Sequence, residues 1–402
     1  MSSSVLSRFV FGLGLLTMAL LSCACETVAD LPDGGGLEGY YDASDSKSGS
    51  GANGGRQGGF SSGVVTAGEW NDLDHWAFWC DLLTTQNDST RYYTYPSYWH
   101  YNTSGRVGLR LLGSDGLPLV DVPVRLQKGD ALVWSSRSDN LGRAELFLGL
   151  NDQEPAAPDV AACSLYVGDV PVTAVLQKDT LNEITLTWQT PASDRVELAF
   201  VVDATGSMAD EMDFLKKDLE DVVTRVQSAN SRLDIYTAAV FYRDEGDSYV
   251  VKHQDFTPDL DKTVRYIRAQ SAAGGGDYPE AVHTALKETW SQLQWSSSAR
   301  TRIAFLVLDA PPHYDDNVIA DLHRSVRRMA DKGIKVIPVS ASGVDKPTEF
   351  LLRYLAIATN GTYVFLTDDS GVGLPHLSPS VGYYQVEKLN DLLVRLIGKY
   401  SD

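Results

Sequence analysis

Cysteine is scarce in this chain. Two of the four cysteines, Cys23 and Cys25, fall within the first 25 of its 402 residues. That leaves Cys80 and Cys163, so the remainder holds one disulfide at most, and sequence does not decide whether those two meet. A disulfide-dense scaffold is excluded. Basic residues are also few: 34 Lys and Arg stand against 53 Asp and Glu, a formal net charge of −19. An acidic chain gains nothing from phosphate backbones, which argues against nucleic acid as a partner and for divalent cations as ligands. Beyond the first residues, no apolar run approaches the roughly 20 residues that a membrane span needs. The sequence contains no Gly-x-x-x-x-Gly-Lys-Ser/Thr phosphate loop, no Gly-x-Ser-x-Gly nucleophile elbow and no His-Glu-x-x-His zinc motif.

What is present begins with an export pattern. Arg8 is the only charge before Glu26, and Phe9 to Leu21 is almost wholly apolar. That length suits a signal-peptide core better than a span. Leu20-Leu21-Ser22-Cys23-Ala24-Cys25 resembles the lipobox of bacterial lipoproteins. The resemblance implies a signal peptide over 1–22, lipidation of Cys23 and an outer-membrane location, facing either the periplasm or the outside; the alternative is an ordinary secretory signal with incidental cysteines. From 23 to 63 the chain is poor in apolar residues and rich in Gly, Ser and Asp, as in a flexible tether.

Residues 64–103 crowd aromatics together, among them Trp70, Trp76, Trp79, Tyr92, Tyr98 and Trp99. The segment is expected to pack on the next domain, with a short helix near His75 to Leu83. A carbohydrate-binding face is the alternative. Residues 104–190 read as short strands separated by Gly- and Asp-rich turns, Gly113 to Pro118 and Asp139 to Ala144 being examples. A small β-sandwich is expected, similar to carboxypeptidase-regulatory or immunoglobulin-like modules.

From 191 to 402 the rhythm becomes strand, helix, strand, helix. Val196 to Val202 is a continuous apolar run, as in a buried parallel strand. Met208, Met212, Leu215, Leu219, Val222 and Val226 share one helical face. Further strands are expected at Ile235 to Tyr242, Ile303 to Leu308, Ile334 to Val339 and Tyr363 to Leu366. Helices are expected around Leu260 to Arg268, Glu280 to Gln294, Val318 to Ala330, Thr348 to Ile357 and Val386 to Ile397. Such a series makes an α/β fold, a doubly wound and mostly parallel sheet covered on both faces.

The chemistry gathers at strand ends. Asp203-Ala204-Thr205-Gly206-Ser207 follows the first strand and displays one carboxylate and two hydroxyls where open α/β sheets bind ligands. Ser207 is expected to cap the helix that begins there. Hard oxygen donors suit Mg²⁺, or less specifically Mn²⁺ or Ca²⁺. The motif resembles the Asp-x-Ser/Thr-x-Ser signature of von Willebrand factor A (VWA) domains. Two later pieces lie where that family places its second and third metal loops: Ala273-Gly274-Gly275-Gly276-Asp277-Tyr278-Pro279-Glu280, and Asp309 at the end of Leu306-Val307-Leu308.

The resemblance implies a metal-ion-dependent adhesion site. Thr205 and Ser207 would ligate through hydroxyls, and Asp203 and Asp309 directly or through water. Asp277 would stand where many members place a Thr; its other role would be to cap the helix near Pro279. It also implies a protein partner, which could offer a carboxylate to the ion, and a function in binding or adhesion without catalysis. Two other readings compete: a metal-independent envelope scaffold, and a metal-assisted phosphohydrolase with Asp203 as nucleophile. Ala204-Thr205 breaks the pattern that the second requires. Arg243, at the end of a neighbouring strand, would meet an acidic partner or pair with a loop carboxylate. Thr367 to Gly371 would form a solvated turn or hold a second cation.

Overall fold

The computed structural model describes residues 65–84, 91–102, 105–150, 159–189, 193–229, 232–370 and 375–402. The signal segment, Cys23 and the tether lie outside them.

The chain opens with β1 (Thr66–Trp70), α1 (Trp76–Thr84) and the single turn α2 (Tyr95–Tyr98). The β region follows: β2 (Arg106–Leu112), β3 (Pro123–Lys128), β4 (Ala131–Arg137), β5 (Arg143–Phe147), β6 (Ser164–Val167), β7 (Val170–Val172) and β8 (Leu181–Thr185). The alternating part contains β9 (Arg195–Asp203), α3 (Ala209–Ala229), β10 (Asp234–Tyr242), β11 (Val251–Thr257), α4 (Leu260–Arg268), α5 (Val282–Ser291) and β12 (Thr301–Leu308). It closes with α6 (Asp316–Lys332), β13 (Ile334–Ser340), α7 (Lys346–Ala358), β14 (Tyr363–Thr367), β15 (Glu387–Lys388) and α8 (Leu389–Ser401).

The large sheet has the order β11-β10-β9-β12-β13-β14-β1-β15. β10, β9, β12, β13 and β14 are mutually parallel. Their apolar runs are buried along nearly the whole length because helices cover both faces. One core lies under α3, α4 and α8; the other lies under α5, α6 and α7. Local chemistry sets the helix boundaries. Asp315 accepts from Asn317 N and Val318 N at the start of α6, and Gly333 ends it at φ 69°. Asp345 accepts from Thr348 N at the start of α7, just before Pro347.

Residues 105–189 form two small sheets, β5-β2-β8 and β4-β3-β6-β7, the expected sandwich. The aromatic segment departs from expectation. It does more than pack on the domain that follows: β1 pairs antiparallel with β14 and β15 inside the large sheet. Its rings fill the far core, with Trp79 stacked on Phe350 and Tyr101 on Tyr354. Arg353 of α7, fully buried, donates to both oxygens of Asp72 and to the Tyr92 hydroxyl. β11 was also unforeseen. It is an antiparallel edge strand beside β10, and its half-buried polar residues hide the alternation. Cys80 and Cys163 are not joined to each other.

The sandwich is riveted to the sheet by buried ion pairs. Asp121 accepts from Arg137 and from both terminal nitrogens of Arg302 at the start of β12. Lys335 of β13 donates to Asp139 at 3.0 Å. Burial opposes the charge on Asp121, but the two guanidinium groups hold its carboxyl below the usual carboxylate range.

Candidate functional site

β9 sits between β10 and β12, and Asp203 is its last residue. The chain leaves β9 through α3 toward β10 on one side, while β12 flanks it on the other. A crevice at the carboxyl ends of the strands follows from that topology. Asp203 is fully buried; its Oδ1 accepts from Thr205 N at 2.8 Å and Thr205 Oγ1 at 2.7 Å. Thr205 Oγ1 lies 3.2 Å from Ser207 Oγ. Asp309 lies just beyond β12, near Asp203, and Ser207 lies near Asp309. Four of the five residues picked out for metal are thereby brought together.

One local expectation fails. Ser207 is not the helix cap: it lies inside a 3₁₀ turn, Gly206–Met208, and Thr205 holds the cap position without a side-chain capping bond. The Thr205 hydroxyl donates to Asp203 and lies beside that of Ser207, and α3 begins at Ala209.

Asp277, the fifth residue, is exposed in its loop. The acid of that loop which reaches the crevice is Glu280, buried at 2% exposure. Backbone geometry explains the difference. Gly274 and Gly275 have φ of 83° and 72°, and a Cβ on Gly275 would stand 2.8 Å from Glu280 Oε1 and 3.2 Å from the Thr205 Cβ. The glycines let the loop pass between Thr205 and Glu280. Glu280 N donates to Pro311 O, tying the second loop to the third. Gly206 N donates to Gly274 O and Ala273 N to Ala204 O, tying the first to the second.

Arg243 and Asp244, at the end of β10, complete the frame. Arg243 neither awaits a partner nor pairs with a carboxylate. Its Nε donates to Ala204 O, one terminal nitrogen to Ser271 O and the other to Ser248 Oγ. Asp244 Oδ1 lies 2.5 Å from His313 Nε2 beyond Asp309. Asp247 accepts from Gly275 N. This short stretch therefore holds all three loops. Nothing local in the sequence marks it, because its partners lie 28 to 69 residues away.

Carboxylates outnumber basic groups in the crevice, where His376 faces Glu211 and His313 faces Asp244. Asp203 Oδ2, Asp309 Oδ1, Glu280 Oε2 and Glu211 Oε2 are buried oxygens with no hydrogen-bond partner. Burial, then the neighbouring Asp309, pushes the Asp203 carboxyl up to about 7. Burial raises Asp309 to about 6, with Glu211 adding to it and Ser207 opposing. Burial, followed by Asp203, Asp244, Asp309 and Asp247, raises Glu280 to about 9. Two donors stand beside these oxygens, the buried Tyr242 hydroxyl near Asp203 and His376, whose Nε2 lies 3.5 Å from Glu211 Oε1; the acceptors outnumber them, and a cation would satisfy the excess. Among the described residues no three His, Cys, Asp or Glu side chains converge on one point. A hard cation here could therefore draw on two carboxylates, Asp203 and Asp309, and on the Thr205 and Ser207 hydroxyls, with water filling the rest. At the other suspected cation site, Asp368 accepts from His376 N and contacts its Nδ1 at 2.7 Å.

Residues 197–369 match the family model described as von Willebrand factor A domain. An ariadne-like RING finger protein of Acanthamoeba polyphaga mimivirus is 31% identical over 134 residues, 33% of this chain and 13% of that protein. The alpha-protein kinase vwkA of Dictyostelium discoideum is 31% identical over 134 residues, 33% of this chain and 21% of the kinase. The match thus spans a small part of each relative. Among solved structures, the conserved hypothetical protein BatB from Bacteroides thetaiotaomicron aligns with 51% of this chain and 98% of its own, at 13% identity and a TM-score of 0.36.

Proposed function

From the premise that residues 197–369 form a von Willebrand factor A domain, a protein-interaction module, we propose that this chain binds a protein partner through a divalent cation. The cation is Mg²⁺, or Mn²⁺ or Ca²⁺ in its place. The observation that carries this reading is the pair of orphaned buried oxygens, Asp203 Oδ2 and Asp309 Oδ1, at the ends of adjacent parallel strands. Thr205 and Ser207 place their hydroxyls beside them. When bound, the ion supplies the positive charge the crevice lacks and a coordination position open to an oxygen of the partner.

The chain's own residues do the remainder. Asp203 and Asp309 hold the ion, Thr205 and Ser207 add neutral donors, and the Arg243-Asp244 staple keeps the three loops in register. Asp277, exposed on the rim, is assigned the role of an outer ligand that reaches the ion through water. The reading is of a binder without catalysis. Export and lipidation at Cys23, with anchoring in the bacterial outer membrane, belong to the same proposal. Fatty-acid labelling that disappears in Cys23→Ala is the check on that part.

Calorimetric titration of the full chain with Mg²⁺, Mn²⁺ and Ca²⁺ tests the metal. Binding is expected in the wild type and its loss in Asp309→Ala. No heat at millimolar metal would remove the mechanism. Partner capture that survives a chelator would point instead to a metal-independent scaffold.

A further inference from the structure

The amino ends of β12 and β13, the edge opposite the carboxylates, face the β region, and helix α6 packs beside β4. Two adjoining cavities of about 320 and 410 Å³ lie along this seam and share Ser135 and Asp331 in their walls. The first is lined by Arg324, Arg327, Arg328 and Trp134; the second adds Arg125 and Lys332. In a chain of net charge −19 such a concentration of cations stands out.

Some of that charge is already answered. Arg324 pairs with Asp321, Arg125 with Asp169, and Arg137 and Arg302 share Asp121. The rest is not. Arg327 lies 4.9 Å over the Trp134 ring and donates to Val133 O, a carbonyl and not a carboxylate. Arg328 and Lys332, one turn apart on α6, have no ion pair among the described residues. Arg327, Arg328 and Lys332 thus line the seam with a single carboxylate outside the ion pairs, Asp331, and that excess of cations suits an acceptor-only, anionic ligand.

We propose that this seam is a binding site for a phosphoryl-bearing ligand, separate from the metal edge. The arginine forks match a tetrahedral oxyanion, and Arg328 and Lys332 give the charge. The sandwich thereby acquires a role of its own, since β3 and β4 form one wall. A free phosphorylated molecule and a phospholipid headgroup present the same chemistry, and the experiment separates them.

The full chain, in metal-free buffer, is titrated with tripolyphosphate and, in parallel, sedimented with phosphatidylcholine vesicles with and without phosphatidylglycerol. Binding to at least one probe is expected, weakened about tenfold or more in Arg328→Ala/Lys332→Ala and weakened by added salt. Both side chains are exposed and unpaired, so that variant retains the parent's fold. Arg268→Ala, which removes an exposed cation elsewhere, is expected to bind as the wild type does. Tripolyphosphate binding alone identifies a soluble phosphorylated ligand; binding to phosphatidylglycerol vesicles alone identifies a lipid headgroup. No binding to either probe, or binding indifferent to the double substitution, overturns the proposal.

Discussion

Two ends of the same parallel sheet bury charge in opposite ways. At the amino edge each buried carboxylate meets a cation: Asp121 meets Arg137 and Arg302, and Asp139 meets Lys335. In the aromatic core beside the sheet, Asp72 meets Arg353. At the carboxyl edge Asp203, Asp309 and Glu280 lie near one another, and none of them has a cation as partner among the described residues. Charge buried in pairs serves the fold, since it locks the sandwich, the aromatic segment and the sheet together. Charge buried without pairs works against the fold, and under the proposed function an outside ligand completes it. The direction of the carboxyl shifts marks the difference: Asp121 is held low by its arginines, Asp203 and Asp309 are driven up.

The comparison is sharpest at Asp72. Asp72→Ala leaves the fully buried Arg353 without its main partner and is expected to cost about 3–5 kcal/mol in urea unfolding. A loss below about 1 kcal/mol would mean that the paired charges do not hold the segment to the sheet.

The opposite sign is expected next, at the carboxyl edge. In metal-free, mildly alkaline buffer, Asp203→Asn removes repulsion and should stabilise the chain by about 1–3 kcal/mol, while abolishing cation binding. The wild type carries the same contrast in its pH dependence. The folded values of Asp203 and Asp309, about 7 and about 6, lie above the ordinary 3.8. Their contribution to stability is therefore full below the unfolded value and is lost as pH rises through 6 to 7. Asp121, depressed, contributes above its unfolded value and loses that contribution as pH falls through its lowered folded one. Millimolar Mg²⁺ should cancel the neutral-range loss, because the ion competes with those protons. Unfolding curves across pH, with and without Mg²⁺, check both slopes; a metal-free chain that gains stability between pH 4 and 7 would contradict this account of the carboxyl edge.

The smallest effect is expected at Asp277. As an exposed residue acting through water, its replacement by Asn should weaken Mg²⁺ binding by about threefold or less, against complete loss in Asp309→Ala. An equal loss in the two variants would place Asp277 directly on the ion.

The α/β rhythm and the three loops were legible in the sequence, because each is a local matter. Val196 to Val202 reads as a buried strand from its own apolarity, and Asp203 to Ser207 reads as a ligand turn from its own oxygens. The glycines at 274 and 275 announce a tight passage. What tertiary structure alone decided is every choice that depends on distant partners. These are the insertion of β1 beside β14, the burial of Glu280 where Asp277 stays out, the donation by Arg243 to backbone carbonyls, and the pairing of Asp121 across the seam. A composition of Asp, Glu and Arg states which charges exist. Whether a buried charge is paired or left waiting is fixed by which strand ends the fold sets side by side, and that geometry is written in no single stretch of chain.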